Sequence, residues 1–134
     1  MAHSRRNLDA IINYFDEYDQ IIEIGIGRRT DLAQALAERE VSVTATDVHD
    51  RDVPDGVTFV RDDVVDPDPS VYAGADAVYA RNLPPELHRP ALTVARDADA
   101  DFLFTTLGGD QPAVPVERVT IEEGTLYVAR ALPE

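Results

Sequence analysis

The sequence predicts a three-layer α/β sandwich with a mostly parallel sheet and an antiparallel hairpin at its C-terminal end. Three observations lead to this fold class. Short apolar runs alternate with stretches of helical periodicity along most of the chain. One apolar run passes directly into Gly25-Ile26-Gly27 and then into a helical segment. The last two apolar runs are separated only by Glu122-Glu123-Gly124, a hairpin spacing. At 134 residues the chain fits a single domain, 1–134.

The elements follow in order. Leu8, Ile11, Ile12 and Phe15 recur at helical spacing, so Ser4 to Tyr18 reads as an amphipathic helix. Gln20 to Ile26 is an apolar run ending at glycine, a buried strand. Leu32, Ala35, Leu36 and Arg39 share one face of a second helix, Thr30 to Glu40, with Thr30 or Asp31 near its N-cap. Val41 to Thr46, Val57 to Val60, Ala75 to Ala80 and Phe102 to Thr106 read as further strands. Between the last two, Leu87, Ala91, Val94 and Ala98 give a helical face. Pro90 would break a helix begun at Pro85, so a turn comes first and the main helix starts near Arg89. Val116 to Ile121 and Thr125 to Ala131 form the hairpin. Leu107 to Pro115 is too short for a parallel crossover, so the hairpin joins the sheet antiparallel to the fifth strand.

Composition narrows the classes. A hydrophobic fraction of 44% supports a core. No apolar run approaches the length of a membrane span, and Met-Ala-His-Ser-Arg-Arg followed by Asn7, Asp9 and Asn13 is unlike a secretory leader, so the expectation is a cytoplasmic protein. The absence of cysteine excludes disulfides and thiolate metal sites. His49 stands among Asp47, Asp50 and Asp52, but such carboxylates are ordinarily solvated, and no metal is expected. The net charge is −14, all 12 basic residues are arginine, and aspartate outnumbers glutamate. This composition is similar to that of salt-adapted archaeal proteins. It also disfavours nonspecific nucleic-acid binding, because phosphates are repelled.

Glu23-Ile24-Gly25-Ile26-Gly27-Arg28-Arg29 carries the most information. Glycines at such a turn let the backbone bend and approach a ligand, and the helix behind it offers free N–H groups. Asp47 ends the second strand twenty residues after Gly27, where an acid in a Rossmann unit accepts both hydroxyls of a ribose. Asp62 and Asp63 follow the third strand; one carboxylate there can accept from an adenine amino group while the other is solvated, and Val64 can pack on the ring.

Together these stretches resemble the first three motifs of class I S-adenosylmethionine-dependent methyltransferases. The resemblance implies that Glu23 supports the turn, Gly25 and Gly27 face the methionine part, Asp47 holds the ribose and Asp63 meets adenine. Over nearly its full length the chain also resembles a family of short, uncharacterised archaeal proteins with this Rossmann-like fold. That likeness rests on Glu23 to Arg28, Arg61 to Val64 and Pro84-Pro85-Glu86-Leu87-His88, and it implies no particular reaction.

Three departures qualify the activity. Arg29 stands where the superfamily usually has a third glycine. There it either crowds the methionine site or meets the anionic end of a ligand. Ala80-Arg81-Asn82-Leu83-Pro84-Pro85 is similar to the Asn-Pro-Pro-aromatic motif of amino-group methylases, but Leu83 intervenes and Glu86 replaces the aromatic. The chain also lacks the extra segments that usually form a substrate lid. Arg81, Asn82, Glu86 and His88 follow the fourth strand and are the substrate-side candidates, with a solvent-facing His88 as the plainer alternative. No catalytic residue is assigned.

The expected ligand is S-adenosylmethionine or a related small nucleotide. Two function classes stay open: a small methyltransferase, and a non-catalytic nucleotide-binding or regulatory module. A nicotinamide dinucleotide dehydrogenase fits Asp47 but fits Glu23 and Asp63 less well. No Ser-His-Asp or Walker-type constellation is visible.

Overall fold

A computed structural model describes residues 9–121 and 124–131. Residues 9–14 are helical, α1. There follow β1 (Gln20–Ile24), α2 (Asp31–Glu38), β2 (Ser42–Asp47), β3 (Val57–Arg61), α3 (Pro69–Tyr72) and β4 (Ala77–Ala80). A 3-10 turn (Pro85–Leu87) leads into α4 (His88–Asp97), and β5 (Asp101–Phe104), β6 (Glu117–Ile121) and β7 (Gly124–Ala129) complete the chain. The expected helix residues Ser4 to Leu8 and the hairpin tip Glu122-Glu123 lie outside the described residues.

The seven strands form one sheet in the order β3-β2-β1-β4-β5-β7-β6. Strands β1 to β5 pair parallel; β7 runs antiparallel to β5, and β6 pairs antiparallel with β7 on the outer edge. The mostly parallel sheet with its antiparallel C-terminal hairpin is therefore present. Connections run outward from β1 in one direction and from β4 in the other. That makes the β1/β4 boundary the switch point, where α/β sheets hold their ligands.

Each face of the sheet is covered. On one, Leu32, Ala33 and Leu36 of α2 pack with Ile11, Ile12 and Phe15 against Ile21, Val43 and Leu103. On the other, Ala91, Leu92 and Ala95 of α4 pack with Tyr72 against Ile22, Val78 and Phe102. Full burial of each large side chain contributes about 1.5–3 kcal/mol, enough to order the short α2 and α4, which would be marginal in isolation.

Some boundaries differ from the sequence expectation. β1 stops at Ile24 because Gly25 turns to φ 66°. α3 was not expected; it is only four residues long, with Pro69 in its first turn and Asp68 accepting the Ser70 N–H at 3.0 Å as a cap. Pro90 sits in the first turn of α4, where a missing N–H costs nothing.

Candidate functional site

The site grows out of the turn after β1. Gly25 and Gly27 adopt left-handed φ values of 66° and 58°, which cost a residue with a side chain about 1–2 kcal/mol. With the chain so bent, the Ile26 N–H donates to the Thr46 carbonyl at 3.0 Å, and the Gly27 N–H donates to Asp47 Oδ2 at 2.9 Å. The glycine turn and the second-strand acid thus meet at the carboxyl edge of the sheet. Nothing lies within 4 Å of where a Gly25 Cβ would stand, so the backbone there is bare.

A cleft of about 210 Å³ opens at this edge, lined among others by Gly25, Asp47, Asp63, Val64, Arg81 and Asn82. Those six were singled out in the sequence. Asp47 is buried. Its burial raises the carboxyl pKa, but N–H bonds from His49 and Gly27 and the charge of Arg51 outweigh that and hold it below the usual range. Asp62 and Asp63 separate into two roles. Asp62 Oδ1 accepts the Asp68 N–H at 3.0 Å and Oδ2 accepts the Tyr72 hydroxyl at 2.7 Å, so it braces α3. Asp63 gives one oxygen to the Val65 N–H at 2.9 Å and is otherwise exposed at the cleft.

Glu23 lies behind the turn rather than in the cleft. It is 3% exposed, and burial pushes its carboxyl up to about 8; Asp31 adds to the rise while Arg81 and Arg29 oppose it. The β1–β4 register sets Glu23 beside Tyr79. Arg81 Nη2 donates to Asp31 Oδ1 at 3.0 Å, tying the end of β4 to the start of α2. Arg29 is exposed, does not line the cleft, and has no ion pair or hydrogen bond among the described residues.

The other substrate-side candidates divide. Asn82 lines the cleft at φ 53°, its N–H donating to Thr105 Oγ1 at 2.8 Å. Glu86 is exposed and does not line it. His88 departs from both expectations, substrate contact and surface position. It is 0% exposed, its Nδ1 accepts the Ala113 N–H at 3.0 Å, and its Nε2 lies 2.9 Å from the Leu83 carbonyl. The donor at Ala113 makes Nδ1 the acceptor, so Nε2 carries the proton and the ring is a neutral clamp. Sequence reasoning missed Thr46, Val48, Leu83 and Leu87 as lining residues. The local signal for them is adjacency: Thr46 and Val48 flank Asp47, and Leu83 follows Asn82.

Among the described residues no group of three or more histidines or carboxylates is placed to hold a metal ion, and no helix is long and apolar enough to cross a membrane.

Comparison with solved structures defines the fold. The fold is that of the Rossmann-like class I S-adenosylmethionine-dependent methyltransferases. Magnesium protoporphyrin IX methyltransferase from Synechocystis, solved with bound S-adenosylmethionine, superposes with a TM-score of 0.65 at 11% identity, covering 95% of this chain and 78% of that one. The methyltransferase domain of a bacterial Hen1 gives 0.56 at 15% identity, covering 76% of this chain; the chain spans only 65% of that domain. With this fold, the chain belongs to UPF0146, described as an uncharacterised protein family, which matches residues 7–131. It is 53% identical over 114 residues to a UPF0146 protein of Halobacterium salinarum, covering 84% of this chain and 88% of that protein. The family is archaeal.

Proposed function

We propose that the carboxyl-edge cleft binds S-adenosylmethionine or a closely related adenine nucleoside, and that the protein is a small methyltransferase. The observation that carries this reading is the Gly27 N–H to Asp47 Oδ2 bond beside a bare Gly25, in one cleft with Asp63 and Val64. The cleft chemistry fits such a ligand. Asp47 stays ionised and offers its remaining lone pairs to ribose hydroxyls; Asp63 keeps an oxygen for an amino group; Val64 gives the ring an apolar wall. Bound S-adenosylmethionine would supply an electrophilic methyl group. The chain's own part would be to orient it and hold an acceptor in line, which needs no general base where the acceptor is already nucleophilic.

A second reading is a binding module without chemistry. It is favoured by His88, which is committed to Leu83 and Ala113, and by Glu86, which stands away from the cleft. Calorimetric titration in molar salt with S-adenosylmethionine, S-adenosylhomocysteine, NAD and ATP tests the shared premise. Binding of the first two alone supports it. Preference for NAD or ATP, or no binding at all, overturns it. Transfer of a labelled methyl group to a cell-extract fraction then separates enzyme from module.

A further inference from the structure

One edge of the sheet is β3, and that edge is unguarded. The Asp62 N–H donates to the Asp47 carbonyl at 3.1 Å, toward β2. Backbone groups alternate in direction along a strand, so those of Phe59 and Arg61 face away from β2. Among the described residues they meet no backbone partner. Residues 48–56, which join β2 to β3, form no helix to stand over them. Sheet edges are commonly blunted by charged side chains, proline or a bulge. Val57-Thr58-Phe59-Val60 has none of these, and its register with β2 is unbroken. The opposite edge, β6, is charged: Glu117 pairs with Arg130, and Arg118 lies over the Tyr127 ring.

We propose that β3 is the docking edge for a second copy of this chain, paired antiparallel about a two-fold axis at Thr58. Charge selects this partner and this register. Arg61, at one end of the strand, gives its Nε–H to the Val48 carbonyl at 3.0 Å and has no ion pair among the described residues. Asp55, just before the other end, is exposed and equally without an ion pair among them. With Thr58 opposite Thr58, Arg61 of each copy stands opposite Asp55 of the other. Two chains of charge −14 thus meet through a pair of opposite-charge contacts. A shift of the register by two sets Arg61 opposite Val57 or Val53 instead. In the same register Val57 of each copy faces Phe59 of the other. Both are half-buried on the α2 face, and an aromatic ring beside a β-branched side chain is a favourable cross-strand pair. The Phe59 N–H then reaches the Val57 carbonyl of the other copy. Because β3 runs directly into Asp62, Asp63 and Val64, the pairing brings the other copy's Pro54–Gly56 turn beside the cleft.

The contact is short, so the dimer should dissociate with a constant on the order of 10 µM. Sedimentation equilibrium measures it, in about 2 M KCl so that the remaining acids are screened. Wild type should be mostly dimeric at about 100 µM. Arg61→Glu and Asp55→Arg should each weaken association about tenfold or more, and the two together should restore it to within about threefold of wild type. The chain has no cysteine, so Thr58→Cys introduces a single thiol. Two such thiols face each other at a pair whose Cα atoms lie about 4.5 Å apart, within disulfide reach, and oxidation should link the copies. Thr120→Cys, on the β6 edge, should stay unlinked. The linkage keeps the proposal testable if a charge reversal does not fold. Wild type monomeric at about 100 µM overturns the proposal. So do single reversals that leave association unchanged, a double variant that does not recover it, and linkage through Thr120→Cys rather than Thr58→Cys.

Discussion

Asp47 and Glu23 are both buried acids at one edge of the sheet, and their surroundings push them in opposite directions. Asp47 is held ionised by N–H donors, so it suits a permanent acceptor. Replacing it with Asn should weaken S-adenosylhomocysteine binding about ten- to a hundredfold, the loss of roughly 1.5–3 kcal/mol expected for a hydrogen bond to a charged group. Calorimetry reads this directly, and undiminished affinity would remove Asp47 from the ligand contacts. Glu23 has an ordinary value of 4.5 and a folded value near 8. Between these, the folded chain holds a proton that the unfolded chain has released. The stability that Glu23 contributes is therefore complete below about pH 4.5 and is lost as pH rises through about 8, by up to roughly 1.4 kcal/mol per pH unit. Urea unfolding at pH 5 and at pH 8.5 should show wild type losing stability relative to Glu23→Gln. Parallel behaviour of the two would mean that Glu23 keeps its charge in the fold. The placement of Glu23, Gly25 and Asp47 at one sheet edge was legible in sequence because it depends on local turn chemistry and on strand ends. The Arg81–Asp31 bond and the placing of Glu23 beside Tyr79 were not, because they are made by a contact between segments fifty residues apart and by the β1–β4 register.

At the scale of elements, His88 shows how a connection can be mistaken for a site. It begins α4, yet its ring stands 4.5 Å from that of Phe104 and links Leu83, after β4, to Ala113, in the segment joining β5 to β6. One buried imidazole thereby fixes two loops beside the cleft. Replacement by Leu keeps the apolar volume but abandons the buried Leu83 carbonyl and the half-buried Ala113 N–H, so a loss of about 1–3 kcal/mol follows from the carbonyl left unmade, the N–H being able to turn to water. Urea titration measures it; a variant as stable as wild type would show that neither bond matters. Sequence periodicity found the strands and the two longer helices because each repeats a pattern over enough residues. It overlooked α3, where four residues carry no periodicity and only Asp68 and Pro69 announced a start. It also placed the hairpin correctly beside β5, since the short Leu107–Pro115 link allows nothing else.

The whole molecule must tolerate a charge of −14, with 26 acidic residues against 12 arginines. Its ion pairs do not offset that excess. Arg130, partly exposed, is within 3.8 Å of Glu17, 3.3 Å of Asp101 and 3.5 Å of Glu117, so one cation serves three acids. Exposed pairs of this kind contribute about 0–1 kcal/mol each. Salt acts on both terms, weakening these pairs and damping the repulsion among unpaired carboxylates. Because acids outnumber arginines by 26 to 12, most carboxylates have no cation to lose, so damping wins and stability should rise with ionic strength. The screening length falls from about 10 Å at 0.1 M to about 3 Å at 1 M, so most of the gain belongs to that interval. Thermal melts in KCl should therefore climb by several degrees between 0.1 and 1 M and then flatten. Salting-out of apolar surface would instead keep rising beyond 1 M and would be larger in sulfate than in chloride at equal ionic strength. A melting temperature independent of salt would show that the carboxylates are spaced widely enough to ignore one another, and the salt-adapted reading of the composition would fail with it.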